Sequence, residues 1–338
     1  MPYQVTIQPS GHQFTVHEDE TVLEAALREN FALPYGCRNG ACGACKGKLL
    51  AGTVDYGAYQ TNALSDSDKE KGLALFCTAQ PDSDLIIEAR EISAAKDIPI
   101  RTLPCRIERM ERLAADVMGL WLKLPSNERL QFLPGQYIDF LLKDGGNRSF
   151  SLANAPEADS LLELHIRLVP GGRFTEQVFT GMKPKDIMRI KGPMGSFFLR
   201  ESDKPILFLA GGTGFAPIKS ILEHAFQHEI DRQMVLYWGA KSLPDLYLPD
   251  LPGQWQQAHA NFTFIPVLSE ARPEDNWQGR QGFVHQAILA DFADLSGYQV
   301  YACGAPPMIE AARRDFTAKG LPEDEFYSDA FAYQTPPA

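Results

Sequence analysis

At 338 residues the chain is long enough for two or three domains, each with its own apolar core. Its 44% hydrophobic and 22% charged residues are ordinary for a globular fold, and a net charge of −11 argues against nucleic acid or an anionic membrane surface as partner. No apolar run approaches the ~20 residues of a membrane span. The start, Met1-Pro2-Tyr3-Gln4-Val5, has no basic segment leading into an apolar one, so no signal peptide is expected. Six cysteines in such a chain suit a reducing compartment, and the expectation is a cytoplasmic protein without membrane insertion.

In chain order, Tyr3 to Ile7 and Gln13 to Val16 alternate like two strands around Pro9-Ser10-Gly11. Thr21-Val22-Leu23-Glu24 is a capping box opening a short helix to about Arg28, with Val22, Leu23, Ala26 and Leu27 on its apolar side. Beyond Pro34 comes Cys37-Arg38-Asn39-Gly40-Ala41-Cys42-Gly43-Ala44-Cys45, and a fourth cysteine, Cys77, follows downstream. C-x4-C-x2-C with a distant fourth thiol is the ligand pattern of a plant-type [2Fe–2S] cluster. Two bridged irons need four converging thiolates. A loop carrying three must turn sharply, which Gly36, Gly40 and Gly43 permit, and its N–H groups then face the sulfurs. Structural zinc prefers two paired knuckles and disulfides prefer small secreted domains, so Cys37, Cys42, Cys45 and Cys77 are expected to ligate the cluster. Lys46 to Leu50 and Thr53 to Tyr56 read as strand around Gly52. Ser65-Asp66-Ser67-Asp68 starts a second short helix, Leu75-Phe76-Cys77 delivers the fourth ligand, and Leu85 to Glu88 closes the sheet. Residues 1–92 resemble the β-grasp of plant-type ferredoxins.

Residues 93–104 lack a clear period and contain two prolines, as a linker would. Cys105, at the start of the next strand, is expected to be packed rather than reactive. From there to 200, strand-like runs at Gly119 to Leu122, Tyr137 to Phe140 and Leu162 to Ile166 suggest a small antiparallel barrel. Within it, Arg148-Ser149-Phe150-Ser151 is expected to aim an arginine, an aromatic ring and a serine to one face of a strand. The guanidinium suits a pyrophosphate, Phe150 a flavin ring and the Ser151 hydroxyl the flavin N5 edge. His165 and Ile166 are counted with these flavin contacts. Gly171-Gly172-Arg173-Phe174-Thr175 precedes a helical stretch, Glu176 to Thr180, and reads either as a phosphate seat or as an ordinary turn capped by threonine. Lys191 to Phe197 reads as turn.

In residues 201–338 the apolar run Pro205 to Ala210 is a buried parallel strand. It leads through Gly211-Gly212-Thr213-Gly214-Phe215-Ala216-Pro217 into a helix, Ile218 to Gln227: strand, glycine turn, helix, the makings of a dinucleotide phosphate site. Strands at Met234 to Trp238, Phe262 to Val267 and Gln299 to Ala302, with a helix at Pro306 to Lys319, give a doubly wound parallel sheet. Cys303-Gly304 lies beyond a strand's carboxyl end, where cofactors bind; its thiol either positions a nicotinamide or fills space. The seven histidines are taken as scattered, without H-x-x-x-H spacing, and most of them as surface or packing residues.

Taken together, these motifs resemble the ferredoxin–flavin–nicotinamide reductases of bacterial oxygenase systems, and within them the CDP-6-deoxy-3,4-glucoseen reductases. The resemblance runs nearly end to end. It implies FAD held by Arg148, Phe150 and Ser151 and by Gly172 to Thr175, a nicotinamide cofactor placed by Gly211 to Gly214, Pro217 and Cys303-Gly304, and Phe331 (or Tyr333) covering the flavin. It also implies a route from NADH to FAD to the [2Fe–2S] centre to an electron-accepting protein, an oxygenase or a dehydrase. Two departures stand out: Ala305 intervenes before Pro306-Pro307, and Gly43 replaces a common serine. After the second strand, Trp238 to Ser242 lacks paired arginines for a 2′-phosphate, which favours NADH, although Lys241 and Ser242 keep NADPH open. A stand-alone diaphorase or quinone reductase and a redox-sensing binding module are the alternatives.

Overall fold

The computed structural model describes residues 2–92 and 98–331. They fall into two compact units, one running to Pro99 and including the C-terminal segment from Asp329, the other Ile100–Ser328.

In the first unit β1 (Tyr3–Gln8) pairs antiparallel with β2 (Gln13–Val16) and parallel with β7 (Leu85–Glu88). The sheet order is β2-β1-β7-β3-β5, with β3 (Lys46–Ala51) and β5 (Leu73–Leu75) completing it and β4 (Val54–Asp55) pairing separately with β6 (Gln80–Pro81). A parallel pair formed by the first and last strands is the β-grasp arrangement. Helix α1 (Val22–Arg28) carries the expected capping box, Thr21 accepting from the Glu24 N–H, and buries Val22, Leu23, Ala25 and Ala26. Helix α2 (Asp66–Glu70) is capped likewise by Ser65 and Asp68.

In the second unit β8 (Arg101–Ala114) starts inside the stretch expected to be linker. Leu103, Cys105 and Ile107 point inward from it, and this alternation outweighs the prolines because Pro104 faces solvent. The antiparallel order is β11-β10-β13-β8-β9-β12, comprising β9 (Val117–Lys123), β10 (Tyr137–Leu141), β11 (Asn147–Ser151), β12 (Leu162–Arg167) and β13 (Ile187–Met194). A bridge between Leu152 and Leu164 joins the two edge strands and closes the barrel around Ile107, Leu120, Phe140, Leu164 and Ile166. Strand β13 includes Lys191 to Met194, read above as turn. Its charged face hides the period until β8 and β10 pair on either side. Helix α3 (Arg173–Thr180) follows β12.

The remaining sheet is parallel from β17 (Arg280–Gln281) through β16 (Phe262–Leu268), β15 (Met234–Ala240) and β14 (Ile206–Gly211) to β18 (Gln299–Gly304), with β19 (Phe326–Ala330) at its edge. Helices α4 (Phe215–Gln227), α5 (Asp250–Ala258), α6 (Val284–Asp291) and α7 (Pro306–Thr317) connect the strands, which makes it doubly wound. Ala305, the residue that departs from the expected Cys-Gly-Pro, is the N-cap of α7 and puts Pro306 at its first position, where a missing N–H costs nothing.

Candidate redox sites: a cysteine loop and two glycine turns

The loop between Gly36 and Cys45 turns on positive φ angles at Arg38, Gly40 and Gly43 (58°, 72° and 75°). Gly40 is pressed against the chain at Ala58, whose carbonyl would lie 2.6 Å from any Cβ. These turns bring main-chain N–H groups to sulfur: Cys37 N–H donates to Cys42 Sγ at 3.3 Å and Ala41 N–H to Cys37 Sγ at 3.4 Å. Cys77 arrives from the turn after β5, where Phe76 N–H donates to the Cys45 carbonyl. None of the six cysteines forms a disulfide. The thiols pair by hydrogen bonds, Cys42 to Cys37 and Cys45 to Cys77, which lowers the titration of the accepting Cys37 and Cys77 and, with burial, raises that of Cys42 and Cys45. The charge of Cys42 also reaches Cys45, and that of Cys37 reaches Cys77. Four sulfurs that share protons and N–H donors are the donor set an iron–sulfur cluster needs. Cys37 and Cys42 are half-buried while Cys45 and Cys77 are buried, so one edge of the set faces outward. Gly43 has room for a side chain, its nearest neighbour being the Ala63 carbonyl at 3.5 Å, but its backbone is left-handed, so a serine here would be strained.

In the barrel, register sets Phe150 opposite Ile138, Arg148 opposite Phe140 and Ser149 opposite Asp139. Arg148 and Phe150 therefore share a face and the two serines the other, a different division from the single face expected, because side chains alternate strictly along a strand. Phe150 leans on Phe140 and Phe174, the Ser149 hydroxyl donates to Asp139 at 2.6 Å, and Ser151 is buried. Helix α3 begins at Arg173, three residues before the expected Glu176, with Gly172 as N-cap. No side chain caps it, because the Thr175 hydroxyl turns back to donate to Val169 and Gly172 carbonyls and to accept from Val169 N–H. The first-turn N–H groups are thus left for a ligand, as a phosphate seat requires. Arg173 itself is exposed, paired with Asp144.

At the end of β14, Gly211 enters a 3-10 turn over Gly212–Gly214, where α4 starts, again without a side-chain cap. A Cβ on Gly214 would lie 2.1 Å from the Cys303 carbonyl oxygen, and one on Gly304, whose φ is +150°, would lie 3.1 Å from Gly211 Cα. The Gly-Gly-Thr-Gly and Cys-Gly motifs, far apart in sequence, are in direct backbone contact. Thr213, Pro217 and Cys303 are buried around this crossing. Phe331 is half-buried just beyond β19, and Tyr333 lies outside the described residues.

These three constructions have counterparts. The 2Fe-2S iron-sulfur cluster binding domain matches residues 5–82, the oxidoreductase FAD-binding domain residues 104–199 and the oxidoreductase NAD-binding domain residues 208–314. The CDP-6-deoxy-L-threo-D-glycero-4-hexulose-3-dehydrase reductase of Yersinia pestis is 41% identical over 331 residues, 98% of this chain and 99% of that one. The chain belongs to this family of iron–sulfur flavoprotein reductases. The reductase component of phenol 2-monooxygenase from Pseudomonas sp. (strain CF600) is 35% identical over 337 residues, 98% of this chain and 95% of that one. The solved cytochrome P450 reductase of Amycolatopsis superposes with a TM-score of 0.78 at 31% identity, covering 97% of this chain and 98% of that chain. The reductase is accordingly an NAD(P)H-dependent oxidoreductase with [2Fe–2S], FAD and NAD sites.

Several side chains of the reductase site had no sequence signal of their own. Arg167, closing β12, lays its guanidinium against the glycine turn, with Cζ 3.5 Å from where a Gly212 Cβ would stand. Its Nη1 is 3.5 Å from Asp116, while Nε and Nη2 are buried without a hydrogen-bond partner among the described residues. Trp238 stacks on Phe215 at 4.0 Å and donates from Nε1 to the Gly212 carbonyl at 3.0 Å. The two residues before Arg167 have other duties than expected. Ile166 is sealed in the barrel core, and both ring nitrogens of His165 are engaged, Nε2 with Glu163 at 2.8 Å and Nδ1 with the Tyr247 hydroxyl at 3.0 Å. Only their main chain is left for a flavin. Lys219 on α4 completes the group, 3.0 Å from Glu163 and 2.9 Å from Glu223. Burial pushes Glu163 up, but the His165 hydrogen bond and the Lys219 charge outweigh it and bring it down to about 2. Burial pushes His165 down despite Glu163, so the imidazole is neutral, donating from Nε2 and accepting the Tyr247 proton at Nδ1. Burial drives Cys105 up to about 12, which suits a packed thiol. The histidines are not all scattered: His224, in the last turn of α4, and His228, its C-cap, are four residues apart in an H-x-x-x-H pattern.

Proposed function

We propose that the reductase takes a hydride from NADH and delivers single electrons to a separate protein in the cytoplasm, a CDP-deoxysugar dehydrase or an oxygenase component. The observation that carries this reading is the uneven burial of the ligand set. Cys37 and Cys42 are half-buried, as are Arg38 and Asn39 between them, whereas Cys45 and Cys77 are buried, so the Cys37–Cys42 side of the set is the more open one and the one offered to a partner protein. The 41% identity to a dehydrase reductase against 35% to a phenol monooxygenase component favours the dehydrase class.

When bound, the flavin accepts the electron pair of a hydride and the cluster carries electrons one at a time. The chain's own residues bind and orient. The uncapped first turn of α3 and Arg148 serve the flavin pyrophosphate, with Phe150, Phe174 and the main chain of His165 and Ile166 shaping the ring site. The buried Ser151 hydroxyl is the hydrogen-bonding group for the flavin's reactive edge. Gly211 to Gly214, Pro217 and Arg167 hold the dinucleotide phosphates, while Cys303, on the backbone wedge at Gly214, excludes water beside the nicotinamide. NADH is the preferred donor. The Ser242 hydroxyl donates to Asp245 at 2.8 Å and Lys241 lies 3.8 Å from Glu270, so the groups that could take a 2′-phosphate face carboxylates instead. Phe331 remains the candidate cover for the flavin.

The test mixes purified holoenzyme and NADH with a CDP-hexulose dehydrase and, separately, with an oxygenase component, and follows product formation. Product that requires the reductase is expected with the dehydrase. Brisk turnover of small quinones with no electrons reaching either partner would instead identify a stand-alone diaphorase.

A further inference from the structure

Among the described residues, one group of metal-ligating side chains lies outside the cofactor sites. His224 and His228 are four residues apart at the C-terminal end of α4, so helical spacing brings their rings together, with centroids 4.3 Å apart. Opposite them, Glu157 stands on a 3-10 turn, Pro156–Ala158, that follows β11. Its Oε1 lies 2.9 Å from His224 Nδ1 and 2.8 Å from His228 Nε2, and one ligand atom from each residue falls within 4.8 Å of the others. The second carboxylate oxygen, Oε2, is buried with no hydrogen-bond partner among the described residues. Hydrogen bonding alone leaves this arrangement unbalanced, because two donors crowd one oxygen while a buried acceptor beside it goes unserved.

We propose that Glu157, His224 and His228 form a site for a divalent transition-metal ion, zinc in the first instance, which ties the barrel to the far end of the nucleotide-binding helix. Two imidazoles and a carboxylate suit zinc, copper or nickel rather than magnesium or calcium, which favour all-oxygen sets. Zinc bonds of about 2.0–2.1 Å in a tetrahedron hold ligands roughly 3.3 Å apart, so Glu157 Oε1, now 2.9 and 2.8 Å from the two ring nitrogens, has only to draw back by about half an ångström to admit the ion. His224 and Glu157 are half-buried and fix two directions, while the exposed His228 leaves the remaining coordination position to water. Helix α4 begins at the Gly-Gly-Thr-Gly turn, so an ion here anchors the end of the helix opposite the dinucleotide.

The test uses oxidised holoenzyme with its cluster loaded, so that the four loop cysteines are not available to zinc. Equilibrium dialysis against Zn2+ followed by metal analysis should show one zinc per chain above the iron content, and Zn2+ should raise the melting temperature. The double variant His224→Ala/His228→Ala should lose both effects while keeping wild-type flavin and cluster spectra. His228→Ala alone, at an exposed helix end where folding is safe, should weaken binding by more than about tenfold. Wild-type protein that retains no more zinc than the double variant, or binding unchanged in His228→Ala, overturns the site.

Discussion

The cysteine loop and the dinucleotide turn both depend on glycine, for different physical reasons. In the loop, Gly43 supplies a left-handed backbone where a Cβ would make only ordinary contact with Ala63, so what it contributes is conformation. At the turn, Gly214 has an ordinary φ of −59° and supplies absence of volume, because the Cys303 carbonyl occupies the place of its side chain. The first need is local and is met by neighbours in sequence. The second arises only when two strands of one sheet end side by side.

The sharpest way to separate the two regions is Cys42→Ser. It should abolish reduction of cytochrome c, a one-electron acceptor, and leave NADH-dependent ferricyanide reduction largely intact; equal loss of both would show that the dinucleotide half does not work independently of the cluster. Next is a matched pair. Gly214→Ala meets main chain that cannot yield, and should cost about 3 kcal/mol or more in a denaturant melt, with NADH oxidation lost. Gly43→Ala should cost only about 1–2 kcal/mol, with the cluster still assembling. Similar costs for the two would erase the distinction between conformation and volume.

A third prediction concerns what holds the barrel to the nucleotide half. Glu163 titrates lower in the folded chain than unfolded, so it stabilises fully above its unfolded value near 4.5, and this is lost as pH falls toward about 2. His165, also lowered in the fold, adds acid lability in the same direction, beginning as pH drops below the ordinary imidazole value. Glu163→Gln should therefore lower stability at neutral pH by roughly 3 kcal/mol and flatten the acid-denaturation curve between those limits. An unchanged curve would show that the buried network is not what is titrating. The smallest effect is expected from Arg167→Gln, which removes two donors from the glycine turn. KM for NADH should rise about tenfold with kcat nearly unchanged, as for a group that grips substrate and transition state alike. NAD+ binding by calorimetry should weaken in step, and a fall confined to kcat would place Arg167 at the reacting atoms instead.

The sequence alone determined the features written within a few turns of chain. The loop of three cysteines, the Thr21–Glu24 capping box, the strand–glycine–helix unit and the order of the three domains follow from spacing and periodicity, because a cysteine loop or a helix cap is complete in one short segment. Tertiary structure decided the rest. Strand β13 exists because β8 and β10 pair with it, Ser149 meets Asp139 through the register of β10 and β11, and the His165 ring is held by Tyr247 because the two halves pack there. Arg167 over Gly212 and Glu157 opposite His224 and His228 likewise join residues from separate elements. Hydrophobic period records which side of an element is buried; it carries no record of which distant element will lie against it.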